Sequence, residues 1–255
     1  MEHLLSTSFD LLSSYESSHI RKGLRCLEGL LSKLCSPTAP PADFTGAVSA
    51  RPCDAAFKEF LRLQAGFEWN VTLRLISCLE RLLGRTNSSP PHPQSPACRP
   101  SLTATVDSQT NTLIHLGLSL IQGTLLLHPP SRKLFAREIH MNVLLDLLDT
   151  PNTHEIQAAT LLTLVCALLD HPQNTRTFEA LDGLATVAGL FRNRDTPREV
   201  KVRILEFLYF YLMPEKKGGV NERSSEEKQK LLGGYVRNVE TLARDLREAP
   251  PYGVV

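Results

Sequence analysis

The chain has 255 residues, a formal net charge of +1 at neutral pH, and 42% hydrophobic and 22% charged residues. That balance suits a folded protein with a sizeable core and excludes a chain too polar to bury one. Holding nucleic acid or an anionic membrane by bulk electrostatics needs a basic surplus that is absent, so neither is expected as a partner. Met1 to Leu12 carries an acid at position 2 and no basic stretch, so no secretory leader is expected. No later apolar run is expected to approach the ~20 residues of a membrane span. Cys26, Cys35, Cys53, Cys78, Cys98 and Cys166 are scattered without a CxxC pair, which fits reduced thiols in a cytoplasmic or nuclear protein. Asn70-Val71-Thr72 has the form of a glycosylation sequon but falls inside a helical pattern.

Helical periodicity runs along the chain, and no strand alternation is found. His3–Leu12 and His19–Cys35 read as helices, the second with Leu24, Leu27, Leu30, Leu31 and Leu34 on one stripe, interrupted by Pro37, Pro40 and Pro41. Asp54 is placed to cap a helix through Phe57, Phe60, Leu61 and Leu63, with Gly66 ending it. A further helix is expected from about Glu68 to Leu83, turning Leu73, Leu75, Ile76, Leu79, Leu82 and Leu83 inward. Residues 85–107, which contain Ser88-Ser89-Pro90-Pro91, read as a Pro/Ser-rich disordered insertion. A strongly apolar helix follows from Asp107 or Ser108, through Leu113 to Leu127.

From His128 the sequence repeats itself. His128-Pro129-Pro130-Ser131-Arg132-Lys133-Leu134-Phe135 matches His171-Pro172-Gln173-Asn174-Thr175-Arg176-Thr177-Phe178 without a gap. The period of about 43 residues lies within the armadillo and HEAT range. In this register Leu144 lies over Val187, Leu148 over Phe191, and Leu161 over Ile204. Each unit reads as a short helix, a second helix, a loop with Pro151 or Pro197, and a long apolar helix. Such units bury their faces only by stacking. Residues 128–213 hold the two clearest repeats. A last helix, Ser225 to Arg247, is expected to cap the stack through Leu231, Leu232, Val236, Val239, Leu242 and Leu246. The fold class is therefore all-α: a short armadillo/HEAT-like solenoid, residues 1–250 as one domain, with a C-terminal capping helix.

No phosphate loop, GxSxG elbow, HExxH or kinase signature is present. The histidines are dispersed, and His128 and His171 are equivalent loop residues better read as packing than as ligands or bases. No catalytic residue, cofactor or metal ligand is assigned, and the chain is not expected to be an enzyme. Two aromatic segments remain. Around Phe67 and Trp69, core packing at a helix junction competes with a partner-binding patch. From Arg203 to Tyr211, consecutive aromatics on a helix cannot all face inward, so Tyr209, Phe210 or Tyr211 must meet the capping helix or a partner. Ser89 and Ser95, each followed by proline, are candidate phosphorylation sites in the insertion. Ser36, Thr150 and Thr196 also precede proline in expected loops.

The run from Phe60 to Asn70, continuing to Cys78-Leu79-Glu80-Arg81-Leu82-Leu83-Gly84, resembles the fungal septation initiation network family called cell division control protein 14, which is not the phosphatase of that name. The helix Lys201 to Leu212 and the stretch Asn174 to Leu184 are also similar to that family. The likeness spans about residues 3–247. The resemblance implies a non-catalytic partner of a Ste20-like (germinal-centre) kinase, acting in a spindle-pole cascade that triggers cytokinesis and septum formation. It carries over no active-site motif. A general armadillo-type adaptor for short peptides is the alternative. A single tryptophan and the lack of an asparagine ladder speak against it.

Overall fold

The computed structural model describes residues 1–35, 55–87, 101–149, 152–215 and 223–236, with Val239 and Arg244. Every regular element among them is a helix. The chain forms two compact units, Met1–Ser131 and Arg132–Val255.

In the first unit, α1 (Glu2–Ser13) buries Leu5, Phe9 and Leu12 against α2 (Ser17–Cys35). The two cross closely at Gly23, where a Cβ atom would stand 3.0 Å from the Ser8 carbonyl oxygen and 3.1 Å from Leu11 Cβ. Of the expected leucine stripe on α2, Leu24, Leu27 and Leu31 are buried, while Leu30 and Leu34 sit half-buried at its edge. After α3 (Ala55–Ala65), α4 (Val71–Asn87) buries all six of its expected core positions. It starts at Val71 rather than Glu68, because the Asn70 side chain accepts from the Leu73 amide at 3.0 Å and caps the helix. The Arg81 guanidinium of α4 donates to the carbonyls of Leu12 and Ser13, the latter at 2.7 Å. A cation thereby satisfies the open end of α1 and complements its dipole.

The last helix of this unit, α5 (Ser101–Leu127), begins earlier than the sequence suggests. Residues 88–100, with Ser89 and Ser95, lie outside the described residues. Contrary to expectation, the 20 residues Ser108–Leu127 have the length and composition of a membrane-crossing helix. Half of that stretch is buried in the fold, with Leu113, Ile114, Leu118, Ile121 and Leu125 interior and Thr112, His115 and Ser119 outside. α5 packs on both α2 and α4, which is how an interior helix of a bundle acquires such a composition.

In the second unit the order of elements recurs at the repeat spacing. A 3-10 helix η1 (Pro129–Ala136), α6 (Glu138–Asp146) and α7 (His154–Leu168) are followed by α8 (Pro172–Ala180), α9 (Gly183–Arg192) and α10 (Arg198–Leu212). Buried amides close the joints. Asn174, fully buried, donates to the carbonyls of Arg132 at 2.8 Å and Ala167 at 2.7 Å. Gln157 closes the α6–α7 turn on the carbonyls of Leu148 and Asp149. The long apolar helices α7 and α10 pack together. At the α8–α9 corner Asp182 adopts φ 57°. A Cβ on the next residue, Gly183, would lie 2.3 Å from the Phe178 ring, so only glycine lets α9 start there.

Helix α11 (Ser225–Gly233) opens with a capping box between Ser224 and Glu227. The helix expected from Ser225 to Arg247 is interrupted at the pair Gly233-Gly234, and Val239 and Arg244 beyond it are again helical. Leu232, Val236 and Val239 are buried, but Leu231, expected inside, is 38% exposed.

Candidate protein-interaction surfaces

Between α3 and α4 the chain makes a loop tied from within. The Gln64 side chain, 2% exposed, donates to the Trp69 carbonyl at 3.0 Å and accepts from the Val71 amide at 2.8 Å. The Asn70 amide donates to the Gln64 carbonyl at 2.7 Å and to the Ser131 hydroxyl at 3.1 Å. These bonds pin the loop at Gln64 and at Trp69–Val71, on either side of its tip. Trp69 lies half-buried, stacked on Phe9 with ring centroids 6.3 Å apart. The Arg74 guanidinium sits 5.4 Å from the centre of the Phe9 ring. Phe67 points outward and is 75% exposed. Core packing therefore accounts for part of Trp69 but not for Phe67. Gln64, the residue that organises the loop, gives no signal in the sequence beyond a polar side chain at a helix end.

The second aromatic segment is mostly interior. Phe207 is fully buried and meets Phe178 edge-on at 5.5 Å. Tyr211, a candidate partner-binding residue in the sequence, is 1% exposed and faces the capping helix, with the Lys228 ammonium 5.4 Å from its ring centre. Its hydroxyl donates to Glu179 at 2.7 Å. Burial, with the Glu179 carboxylate beside it, pushes the phenol far above its usual range. Tyr209 and Phe210 stay half-buried. Arg203 is exposed and pairs with Glu206 at 2.8 Å, one turn away, an interaction worth about 0.2–1 kcal/mol.

Below Tyr211 lies a buried ionic cluster that joins α8, α10 and α11. Glu179 binds Arg223 at 2.6 Å and approaches Arg176 at 3.5 Å; Glu215 pairs with Arg176 and holds Lys228 at 3.1 Å. Lys228 also donates to the Met213 carbonyl at 3.0 Å. Burial lowers the Lys228 pKa, against the pull of Glu215. Three cations thus share two carboxylates, an arrangement that sequence reading missed because the five residues lie on segments far apart in the chain.

Cys78 and Cys166 are buried thiols, whereas Cys35 is exposed. Burial raises the thiol pKa of Cys78 and of Cys166, leaving both protonated at neutral pH, and lowers that of the half-buried His171. His128 is held by the Ser131 hydroxyl at 2.8 Å. Among the described residues no group of three or more His, Cys, Asp or Glu is arranged to hold a metal ion. Thr196, which precedes a proline, is 5% exposed and bound to the Leu190 carbonyl at 2.9 Å.

These features define an all-helical protein with a preorganised aromatic surface in one unit and an internally cross-linked helix end in the other. The chain belongs to the family described as "Cell division control protein 14, SIN component", whose model matches residues 1–220, and so to the septation initiation network of cell division. It is similar to Cell division control protein 14 of Schizosaccharomyces pombe, with 29% identity over 257 residues that cover 99% of this chain and 97% of that protein. No solved structure matches.

Proposed function

We propose that the chain is a non-catalytic scaffold or regulatory subunit that binds a Ste20-like (germinal-centre) kinase in the septation initiation network. Recruited from the cytoplasm to the spindle pole body with that kinase, it promotes cytokinesis and septum formation. The observation that carries this reading is Phe67, held 75% exposed on a hydrogen-bonded loop beside Trp69 and Arg74. Aromatic and arginine side chains dominate binding energy at interfaces, and a loop already ordered loses little entropy on docking. The recurrence of three elements every ~43 residues supports an armadillo/HEAT-like stack that offers an extended face to its partner.

Direct association of the purified chain with the network's Ste20-like kinase, with and without the kinase's non-catalytic tail, tests the proposal. One-to-one binding that requires the tail is the expected result. Absence of association at micromolar concentrations removes it.

A further inference from the structure

The loop that carries Phe67 takes its internal shape from its own residues. Gln64 reaches the Trp69 carbonyl and the Val71 amide, and Asn70 reaches the Gln64 carbonyl and the Leu73 amide, all within the α3–α4 segment. Such local bonds set the shape of a loop but not its place on the body of the unit. Among the described residues, one side-chain hydrogen bond of Gln64 and Asn70 leaves the segment: Asn70 Nδ2 donates to the Ser131 hydroxyl at 3.1 Å, across 61 positions of sequence.

The direction of this bond is fixed by its neighbours. Asn70 Oδ1 is taken by the Leu73 amide at 3.0 Å, which leaves Nδ2 to face Ser131. Ser131 Oγ therefore accepts there, and its own proton is available to His128 Nδ1 at 2.8 Å. The Ser131 backbone is held as well, its amide donating to the His128 carbonyl at 3.0 Å. Asn70, His128 and Ser131 are 7%, 8% and 1% exposed, so water is kept from competing for these bonds. Without the hydroxyl, one Asn70 N–H and His128 Nδ1 each lose this partner inside the fold. The loop also meets the body where Trp69 stacks on Phe9 of α1. A ring stack with centroids 6.3 Å apart tolerates small shifts, whereas a hydrogen bond weakens steeply with misalignment.

We propose that Ser131 is a positioning residue for the Phe67 surface: through Asn70 it sets where the loop stands on the first unit, with His128 holding the hydroxyl. The proposal rests on the reading of this loop as a binding surface. A neighbouring bond supplies the control for a purely stabilising role. Thr72 Oγ1 donates to Thr124 Oγ1 at 3.0 Å and is equally buried, but it joins α4 to α5 rather than to the loop.

Trp69 is the single tryptophan of the chain, so its emission reports this loop alone. In the full chain, Ser131→Ala should shift that emission and raise its quenching by acrylamide. Thr72→Val should lower the melting temperature in circular dichroism and leave the emission as it is. Affinity for the Ste20-like kinase should fall about two- to tenfold in Ser131→Ala, the range for one side chain that must be ordered on docking, and stay unchanged in Thr72→Val. Should Ser131→Ala fail to fold, Ser131→Cys, which weakens both bonds without leaving a gap, carries the same readings. Unchanged emission and quenching in the Ser131 variant overturn the proposal. So does an equal change in Thr72→Val, which makes Trp69 a reporter of general packing. It is also overturned if Ser131→Ala binds the kinase like the wild type while Phe67→Ala binds it more weakly. If Phe67→Ala too binds like the wild type, the reading of the loop as a binding surface fails instead, and the Trp69 emission still decides whether Ser131 places the loop.

Discussion

Around Trp69, polar groups are satisfied mostly within one loop, with one bond to Ser131, and an aromatic ring is left at the surface; around Tyr211, the rings go inward and polar groups bridge three helices. Both segments hold aromatic residues next to arginines and acids, and in sequence they look alike. What separates them is where the partners of the polar groups lie. Gln64 and Asn70 find most of their partners a few residues away and one at Ser131, none of which covers Phe67. Glu179 and Glu215 find theirs on α8, α10 and α11, so order comes only with burial. The first arrangement leaves a surface to be used; the second holds the end of the second unit closed.

Substitutions in the two regions should therefore separate stability from binding. The largest expected effect is Glu215→Ala, which leaves Arg176 and Lys228 sharing one fewer carboxylate in a buried site. A loss of about 3–5 kcal/mol is expected in urea unfolding, as when one partner of a buried ion pair is removed. A loss below about 1 kcal/mol contradicts the view that this cluster holds α11 in place. Next comes Gly183→Ala, whose methyl meets the fully buried Phe178 ring; about 1–3 kcal/mol should be lost in the same assay.

Tyr211→Phe sharpens the comparison through pH. Folded, the phenol keeps its proton well above pH 10; unfolded, it ionises near 10, so its contribution to stability is complete below pH 10 and declines above it. The variant should be about 1.5–3 kcal/mol less stable at neutral pH, for the loss of a hydrogen bond to a charged acceptor. That deficit should narrow by about 1.4 kcal/mol per pH unit above pH 10. A constant deficit from pH 8 to 11 contradicts the buried, Glu179-bound phenol. Smallest in stability is Phe67→Ala, expected to move the unfolding free energy by less than about 0.5 kcal/mol.

Much of the helical framework is legible in the residue pattern. The six inward positions of α4 follow from spacing alone, and the match of His128–Phe135 to His171–Phe178 reappears as η1 and α8. Local chemistry misread at first sight is legible too: Asn70 marks the start of α4, and Gly233-Gly234 the end of α11. The ionic cluster is not. Lys228, beside Glu226 and Glu227 at a helix start, has the look of a solvated charge, yet it is 4% exposed because it meets Glu215 and the Met213 carbonyl. Periodicity places a side chain on a face, but only the packed partner decides whether a charge is desolvated. Tyr211 turned inward for the same reason, drawn by Glu179 on α8.

The Phe67 surface, on this reading, serves binding and not folding. This is tested most directly by titrating the Ste20-like kinase with the wild-type chain and with Phe67→Ala, at matched thermal stability. The alanine variant should melt like the wild type and bind at least about tenfold more weakly, as the loss of an aromatic anchor requires. Equal affinity of the two chains for the kinase contradicts it.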